Sequence, residues 1–153
     1  GLEVPMVRRF LSWAAEIHEI GLSISHSRYH IHGSYLVENS DLPGFSRQDQ
    51  KLLWALVRSH RRSFKLHRFA EIHEPYDVIG PKLAVLLRLA VLLNRNRRSD
   101  AVPTDLTIKV RSKSPDTIHL SFPADWLEAS PLTQADLSEE ATSLSPAFLF
   151  SFE

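Results

Sequence analysis

Basic and histidine side chains lie mainly in three stretches of the chain, at residues 26–32, 58–68 and 95–98. Guanidinium and ammonium groups are the usual partners of phosphate oxygens, and a row of them suits a linear polyanion better than a compact ligand. The alternative is that these basic faces are only solvated, which is their most common role. The group consists of His26, Arg28, His30, His32, Arg58, His60, Arg61, Arg62, Lys65, His67, Arg68, Arg95, Arg97 and Arg98.

The overall charge of the chain conceals this concentration of basic residues. Among 153 residues there are 18 basic and 18 acidic ones, so the formal net charge is +0. Up to Ser99 we count 15 Lys and Arg against 9 Asp and Glu, whereas from Asp100 onward we count 3 against 9. An asymmetry of this kind favours an anionic ligand for the basic part.

Composition excludes several classes of protein and of chemistry. The chain has no cysteine, which excludes disulfides and thiol nucleophiles and is consistent with a reducing compartment. The longest apolar stretch, residues 83–93, contains Arg88 and is too short to span a bilayer. The first residues lack a signal-peptide pattern. We therefore expect a cytoplasmic protein without a membrane span.

Candidates for catalysis are weak in this sequence. Glu16 and Glu19 are three residues apart on one predicted helix face, where a salt bridge with nearby arginines explains them more simply than acid or base catalysis. The sequence contains no glycine-rich phosphate loop and no Gly-x-Ser-x-Gly motif. No catalytic residue is predicted.

Hydrophobic periodicity predicts helices in the first part of the chain. They cover residues 6–20, 30–38, 47–61 and a core helix beginning near Pro81. Gly21 is expected to cap the first helix, and Ser46 with Asp49 forms a capping-box pattern. The pattern places His60 in the core. It also requires a carboxylate or bound anion for Arg88, because burying an unpaired charge is costly.

Strand periodicity replaces helical periodicity after residue 98. Alternating apolar residues predict a hairpin from strands 106–110 and 118–122. Helical segments at 123–127 and 133–144 and a strand at 147–152 follow. We therefore predict a mostly α protein, with a helical bundle over residues 1–99 and a small β-β-α-β (α+β) subdomain over residues 100–153.

The run His18-Glu19-Ile20-Gly21 resembles the HD phosphohydrolase superfamily, in which an adjacent His-Asp pair supplies metal ligands. Here Glu19 stands where that superfamily has Asp, and Val91 stands where it has the distal Asp. A divalent phosphohydrolase site needs several His and carboxylate ligands with an open position. The resemblance therefore implies a degenerate HD-like bundle without a metal, in which His18 and His60 form hydrogen bonds.

Longer strings resemble the C-terminal region of bacterial exopolyphosphatases, in the family shared with guanosine pentaphosphate (pppGpp) phosphohydrolases. They include HEIG, NSDLPGF, SHRR, LLRLAVLLNRNRR and LSFPADWL, and the resemblance runs from about Phe10 to Phe152. It implies that an actin-like catalytic half is absent from this chain. It also implies a homodimer and a C-terminal half that binds long polyphosphate. The stretch 26–32 and the pair His60-Arg61 favour the exopolyphosphatase branch.

On this resemblance the chain is a polyphosphate-binding and dimerisation module that is not catalytic alone. Its partners are inorganic polyphosphate, its own N-terminal catalytic half and a second copy. No cofactor is expected in this chain, and Mg²⁺ is expected for the whole enzyme. The expected polyphosphate contacts are His26, Arg28, His30, His32, Arg58, Arg61, Arg62, Lys65 and Arg68.

Four alternatives remain open at this point. The chain could belong to a pppGpp phosphohydrolase, or it could be a residual metal phosphohydrolase using His18, Glu19 and His60. It could have only a structural role in dimer formation. Nucleic-acid binding is the least favoured, and competition between polyphosphate and RNA would test it.

Overall fold

The structure is a computed structural model that describes residues 4–97, 102–113 and 115–153. The described residues form five α-helices and three β-strands, with two short 3₁₀ turns at Ile20–Ser23 and Leu66–Phe69. The helices are α1 (Val4–Ile17), α2 (Tyr29–Asn39), α3 (Arg47–Ser59), α4 (Tyr76–Leu93) and α5 (Pro131–Leu144), and the strands are β1 (Thr107–Arg111), β2 (Asp116–Ser121) and β3 (Phe148–Phe152). The prediction of a mostly α protein with a small β part is confirmed.

Contacts divide the chain into two compact units, Gly1–Leu89 and Ala90–Glu153. The domain boundary predicted at residues 99 and 100 lies outside the described residues. In the first unit, α1 to α3 and most of α4 bury their apolar faces. The core of this unit includes Phe10, Leu52, Leu56, Leu83 and Leu87.

Helix α3 shows how the sequence sets a helix start. Ser46 Oγ accepts a hydrogen bond from Asp49 N at 3.1 Å, and Asp49 Oδ2 accepts one from Ser46 N at 2.9 Å. This reciprocal pair satisfies two amide groups at the helix N-terminus. The capping box predicted at these residues is therefore confirmed.

Two helix boundaries differ from the predictions. Pro81 lies inside α4, which begins at Tyr76, so the prediction that Pro81 starts this helix is wrong. Gly21 does not cap α1, which ends at Ile17, and is instead buried in the first 3₁₀ turn. A Cβ at Gly21 would overlap Tyr29 O and Gly33 N. Close packing of this turn on α2 is therefore the reason for glycine here.

The second unit contains a three-stranded sheet of order β1-β2-β3. Strands β1 and β2 are antiparallel, with Ile108 opposite Leu120, and β2 and β3 are parallel, with Ile118 opposite Phe150. The β-β-α-β order matches the prediction. Residues 124–129 form turns rather than the predicted helical segment. Among the described helices, none has the length and apolar character needed to cross a membrane.

Candidate anion-binding site

The segment that follows α3 is held in place by two arginines. Arg88 is 3% exposed and donates hydrogen bonds to Ser59 O and Arg62 O, each at 2.7 Å. Arg68 Nη1 lies 3.3 Å from Arg58 O and 3.2 Å from Ser63 O. Arg62 adopts a left-handed backbone conformation with φ 63. These bonds fix the course of residues 60–63.

Arg88 is buried, and backbone carbonyls satisfy part of its hydrogen-bonding capacity. A buried guanidinium needs acceptors for its donors. Here two of them are the backbone carbonyls of Ser59, the last residue of α3, and of Arg62 in the segment that follows. Helix C-termini carry partial negative charge, which stabilises the cation further.

Four guanidinium groups act on one buried histidine of α2. His30 is 6% exposed, and its pKa is lowered to about 4, first by burial and then by the charges of Arg61, Arg58, Arg68 and Arg62. Charge interactions of this kind require the groups to lie near one another. We call Arg58, Arg61, Arg62 and Arg68 the arginine group.

The arginine group carries positive charge that no carboxylate of the described residues neutralises through an ion pair. The Arg61 guanidinium lies over the Tyr29 ring at 4.5 Å from its centroid, and this cation–π contact orients it. A concentration of unneutralised guanidinium groups favours an anion, and phosphate in particular.

His60 lies close to both His18 and His30, and backbone carbonyls orient His60 and His18. His60 Nδ1 lies 2.6 Å from Val57 O, and His18 Nδ1 lies 2.6 Å from Ala15 O. A carbonyl only accepts, so each Nδ1 carries a proton. The ring centroids of His18 and His60 are 5.3 Å apart, and those of His30 and His60 are 6.3 Å apart. The predictions that His60 is buried and that both residues form hydrogen bonds in the bundle are confirmed.

Burial keeps His60 neutral. It is 2% exposed, and its pKa is lowered to about 3 by burial, with smaller effects of His18, His30 and Arg61, while the hydrogen bond to Val57 acts in the opposite direction. His60 Nε2 and His30 Nδ1 are buried without a hydrogen-bond partner. Two unpaired ring nitrogens therefore lie close to the arginine group.

The degenerate HD positions do not form a metal centre in the part of the chain that the structure describes. No group of three or more His, Asp or Glu side chains there could hold a metal ion. Glu19 directly follows His18 and is half-buried, and Val91 lies in the last turn of α4. The nearby arginines would also repel a cation. Two imidazoles without a carboxylate pair do not fit the divalent phosphohydrolase site described above.

The other predicted phosphate contacts lie outside the arginine group. His26 is exposed, with its ring centroid 6.3 Å from that of Tyr29. Arg28 precedes α2 in a left-handed conformation, His32 is half-buried in α2, and Lys65 is exposed before the second 3₁₀ turn. The structure thus brings together five of the nine predicted contacts, namely His30, Arg58, Arg61, Arg62 and Arg68.

The basic side of α3 lines a pocket of about 570 Å³. Arg47, Lys51 and Arg58 lie on this wall, and Trp54 lies among them. Arg62 lies beyond the end of α3 and does not line this pocket. Hydrophobic periodicity does not predict the contact of Tyr29 with Arg61, because these residues are distant in the sequence and periodicity describes only neighbouring positions.

This chain matches the model of one protein family and is similar to several curated proteins. The Ppx/GppA phosphatase, domain III, matches residues 2–141. Guanosine-5'-triphosphate,3'-diphosphate pyrophosphatase of Pseudoalteromonas translucida (strain TAC 125) is 34% identical over 131 residues, which cover 86% of this chain and 25% of that protein. The proteins of the same name from Aliivibrio fischeri (strain ATCC 700601 / ES114) and Vibrio campbellii (strain ATCC BAA-1116) are 34% and 36% identical, each over 90% of this chain and 26% of the relative.

The chain spans about a quarter of the length of these curated relatives. The match covers the part of the chain that carries the arginine group and most of the residues that follow it. By this match the chain belongs to the Ppx/GppA phosphatase family, as its domain III.

Proposed function

We propose that this chain is the phosphate-binding domain III of a guanosine-5'-triphosphate,3'-diphosphate pyrophosphatase. In this role it holds phosphate groups of the substrate, and other parts of the enzyme hydrolyse the substrate. The names of the relatives support the substrate. The arginine group, which forms no ion pair with a described carboxylate, is the single observation that carries the binding role.

The chemistry of the arginine group suits a ligand with several adjacent phosphates. Each guanidinium presents donors in a planar fork that matches phosphate oxygens. Arg88 and Arg68 hold the backbone of residues 59–63, so the segment bearing Arg61 and Arg62 is ordered before a ligand binds. Preorganisation lowers the entropic cost of binding.

Inorganic polyphosphate is the second candidate ligand. Exposed Arg62 and Lys65 continue from half-buried Arg61 along the same segment, and such a row suits a linear polymer. The three relatives described above are named for the guanosine compound. We therefore rank the pppGpp branch first and the exopolyphosphatase branch, which the histidine-rich sequence favours, second. Comparing the dissociation constants for the two ligands separates the branches.

The binding role is tested by isothermal titration of the chain with guanosine-5'-triphosphate,3'-diphosphate. Replacing both Arg61→Ala and Arg62→Ala removes two charged donors, and we expect the affinity to fall about 100-fold. The matched control is Arg8→Ala with Arg9→Ala, which removes the same charge from exposed positions of α1. We expect the control to change the affinity by less than about threefold.

Equal losses in the two double variants would show that only net charge matters and would refute a site at the arginine group. Hydrolysis is measured in the same samples by phosphate release, and none is expected from this chain alone. The homodimer implied by the family resemblance is a separate proposal. Light scattering after size exclusion would test it directly.

A further inference from the structure

The pocket beside α3 differs in composition from the arginine group. It has a volume of about 570 Å³, within the usual range of about 300–1,000 Å³ for small-molecule sites. Its wall includes the half-buried indole of Trp54 and the buried side chain of Ile72. These apolar surfaces do not form hydrogen bonds with a phosphate, but a flat aromatic ring can pack against them.

Two arginines belong to both the pocket and the arginine group. Arg58 and Arg68 line the pocket, and both act on His30. The pocket is therefore continuous with the phosphate-binding cations. A ligand could place an aromatic part against Trp54 while its phosphates contact these arginines.

Two carboxylates lie among the cations that line the pocket. Glu38 and Glu71 line it and are exposed. Glu71 Oε2 lies 3.6 Å from Lys51 Nζ, so Glu38 is the pocket carboxylate without an ion pair among the described residues. Both carboxylates would repel phosphate, but they accept hydrogen bonds from N–H groups of a base. Guanine presents an amino donor that adenine lacks at the corresponding position, so a carboxylate favours guanine. The combination of indole, carboxylates and arginines matches a nucleotide rather than inorganic polyphosphate.

We propose that the pocket binds the nucleoside part of a guanine nucleotide, with the base stacked on Trp54 and the phosphates on Arg58 and Arg68. This inference rests on the proposed function, since it assigns the remainder of the ligand whose phosphates the arginine group binds. Stacking of a base on an aromatic side chain contributes substantially to affinity.

The experiment compares two ligands on three proteins by isothermal titration. The ligands are guanosine-5'-triphosphate,3'-diphosphate and inorganic tripolyphosphate, which lacks the nucleoside. The proteins are the unchanged chain, Trp54→Ala, and the control Trp126→Ala, whose indole stacks on Phe122 in the other unit. We expect Trp54→Ala to weaken the guanosine compound about tenfold and to leave tripolyphosphate unchanged, while Trp126→Ala changes neither.

The outcomes separate this inference from the proposed function. If both ligands bind the unchanged chain and Trp54→Ala weakens neither, the pocket does not bind the base, although the arginine group still binds phosphate. If neither ligand binds the unchanged chain, the proposed function itself fails. Should Trp54→Ala lose its helical circular dichroism, Trp54→Leu keeps an apolar side chain without the aromatic face. The same selective loss is expected of Trp54→Leu, and its absence would overturn the inference.

Discussion

Neutral histidines surrounded by arginines are the main chemical feature of this site. Burial disfavours the charged form of His30 and His60, and neighbouring cations add to that effect. Histidine at its ordinary pKa would be partly charged near neutral pH. The sequence contains many histidines and arginines, and its periodicity predicts that His60 is buried. It does not show which arginines lie near His30. The positions of these arginines depend on hydrogen bonds from the Arg88 side chain to backbone carbonyls, and hydrophobic periodicity does not predict such bonds.

Acidification should therefore destabilise the protein. The pKa values of His30 and His60 are about 4 and about 3 in the folded chain, against 6.5 as the ordinary value. Between these limits the unfolded chain binds more protons, so the free energy of unfolding is highest above pH 6.5 and falls as the pH drops towards 4. Each histidine contributes a slope of at most about 1.4 kcal/mol per pH unit.

The measurement is urea unfolding over this pH range, with His30→Gln as the matched variant. The variant should show a shallower pH dependence than the unchanged chain, because one titrating group is gone. Proton resonances of the imidazole rings give a direct readout that does not depend on the variant. A His30 ring that titrates near 6.5 would contradict the electrostatic account of the site.

At the scale of elements, most helices and strands could be predicted from periodicity and capping residues. The capping box at Ser46 and the antiparallel pairing of β1 with β2 are local patterns that sequence encodes directly. The errors have non-local causes. Gly21 looks like a helix cap in sequence, but its absent side chain is needed for contact with α2. Pro81 looks like a helix start, but α4 begins one turn earlier and continues through it.

Gly21→Ala should separate the first 3₁₀ turn from α2. The added Cβ meets two backbone atoms, Tyr29 O and Gly33 N, and backbone cannot move as a side-chain end can. We expect a loss of about 3 kcal/mol in the free energy of unfolding, measured by urea denaturation. Because Tyr29 supports Arg61, binding of guanosine-5'-triphosphate,3'-diphosphate should also weaken.

Gly44→Ala is the control for a glycine without close neighbours. Nothing lies within 4 Å of a Cβ there, but φ is +90, so only backbone strain of about 1 kcal/mol is expected. Nucleotide binding should not change. If both variants lost the same stability, close packing at Gly21 would not be the reason for its glycine.

At the scale of the whole molecule, a formal net charge of +0 is compatible with binding a polyanion. Net charge is a poor guide here because basic residues lie mainly before Ser99 and acidic ones after it. The arginine group lies entirely in the first compact unit. The composition could predict an anionic ligand, whereas the choice between polyphosphate and a guanine nucleotide depends on the pocket around Trp54, which sequence did not reveal.

The most direct test of the central claim is the salt dependence of binding. The dissociation constant of the unchanged chain for guanosine-5'-triphosphate,3'-diphosphate is measured by isothermal titration as NaCl is raised. Binding through several guanidinium groups predicts that affinity falls about tenfold or more between about 50 mM and about 400 mM NaCl. The combined Arg61→Ala and Arg62→Ala variant should show a smaller dependence. No binding at low salt, or an affinity that does not change with salt, would contradict the claim that the arginine group binds phosphate.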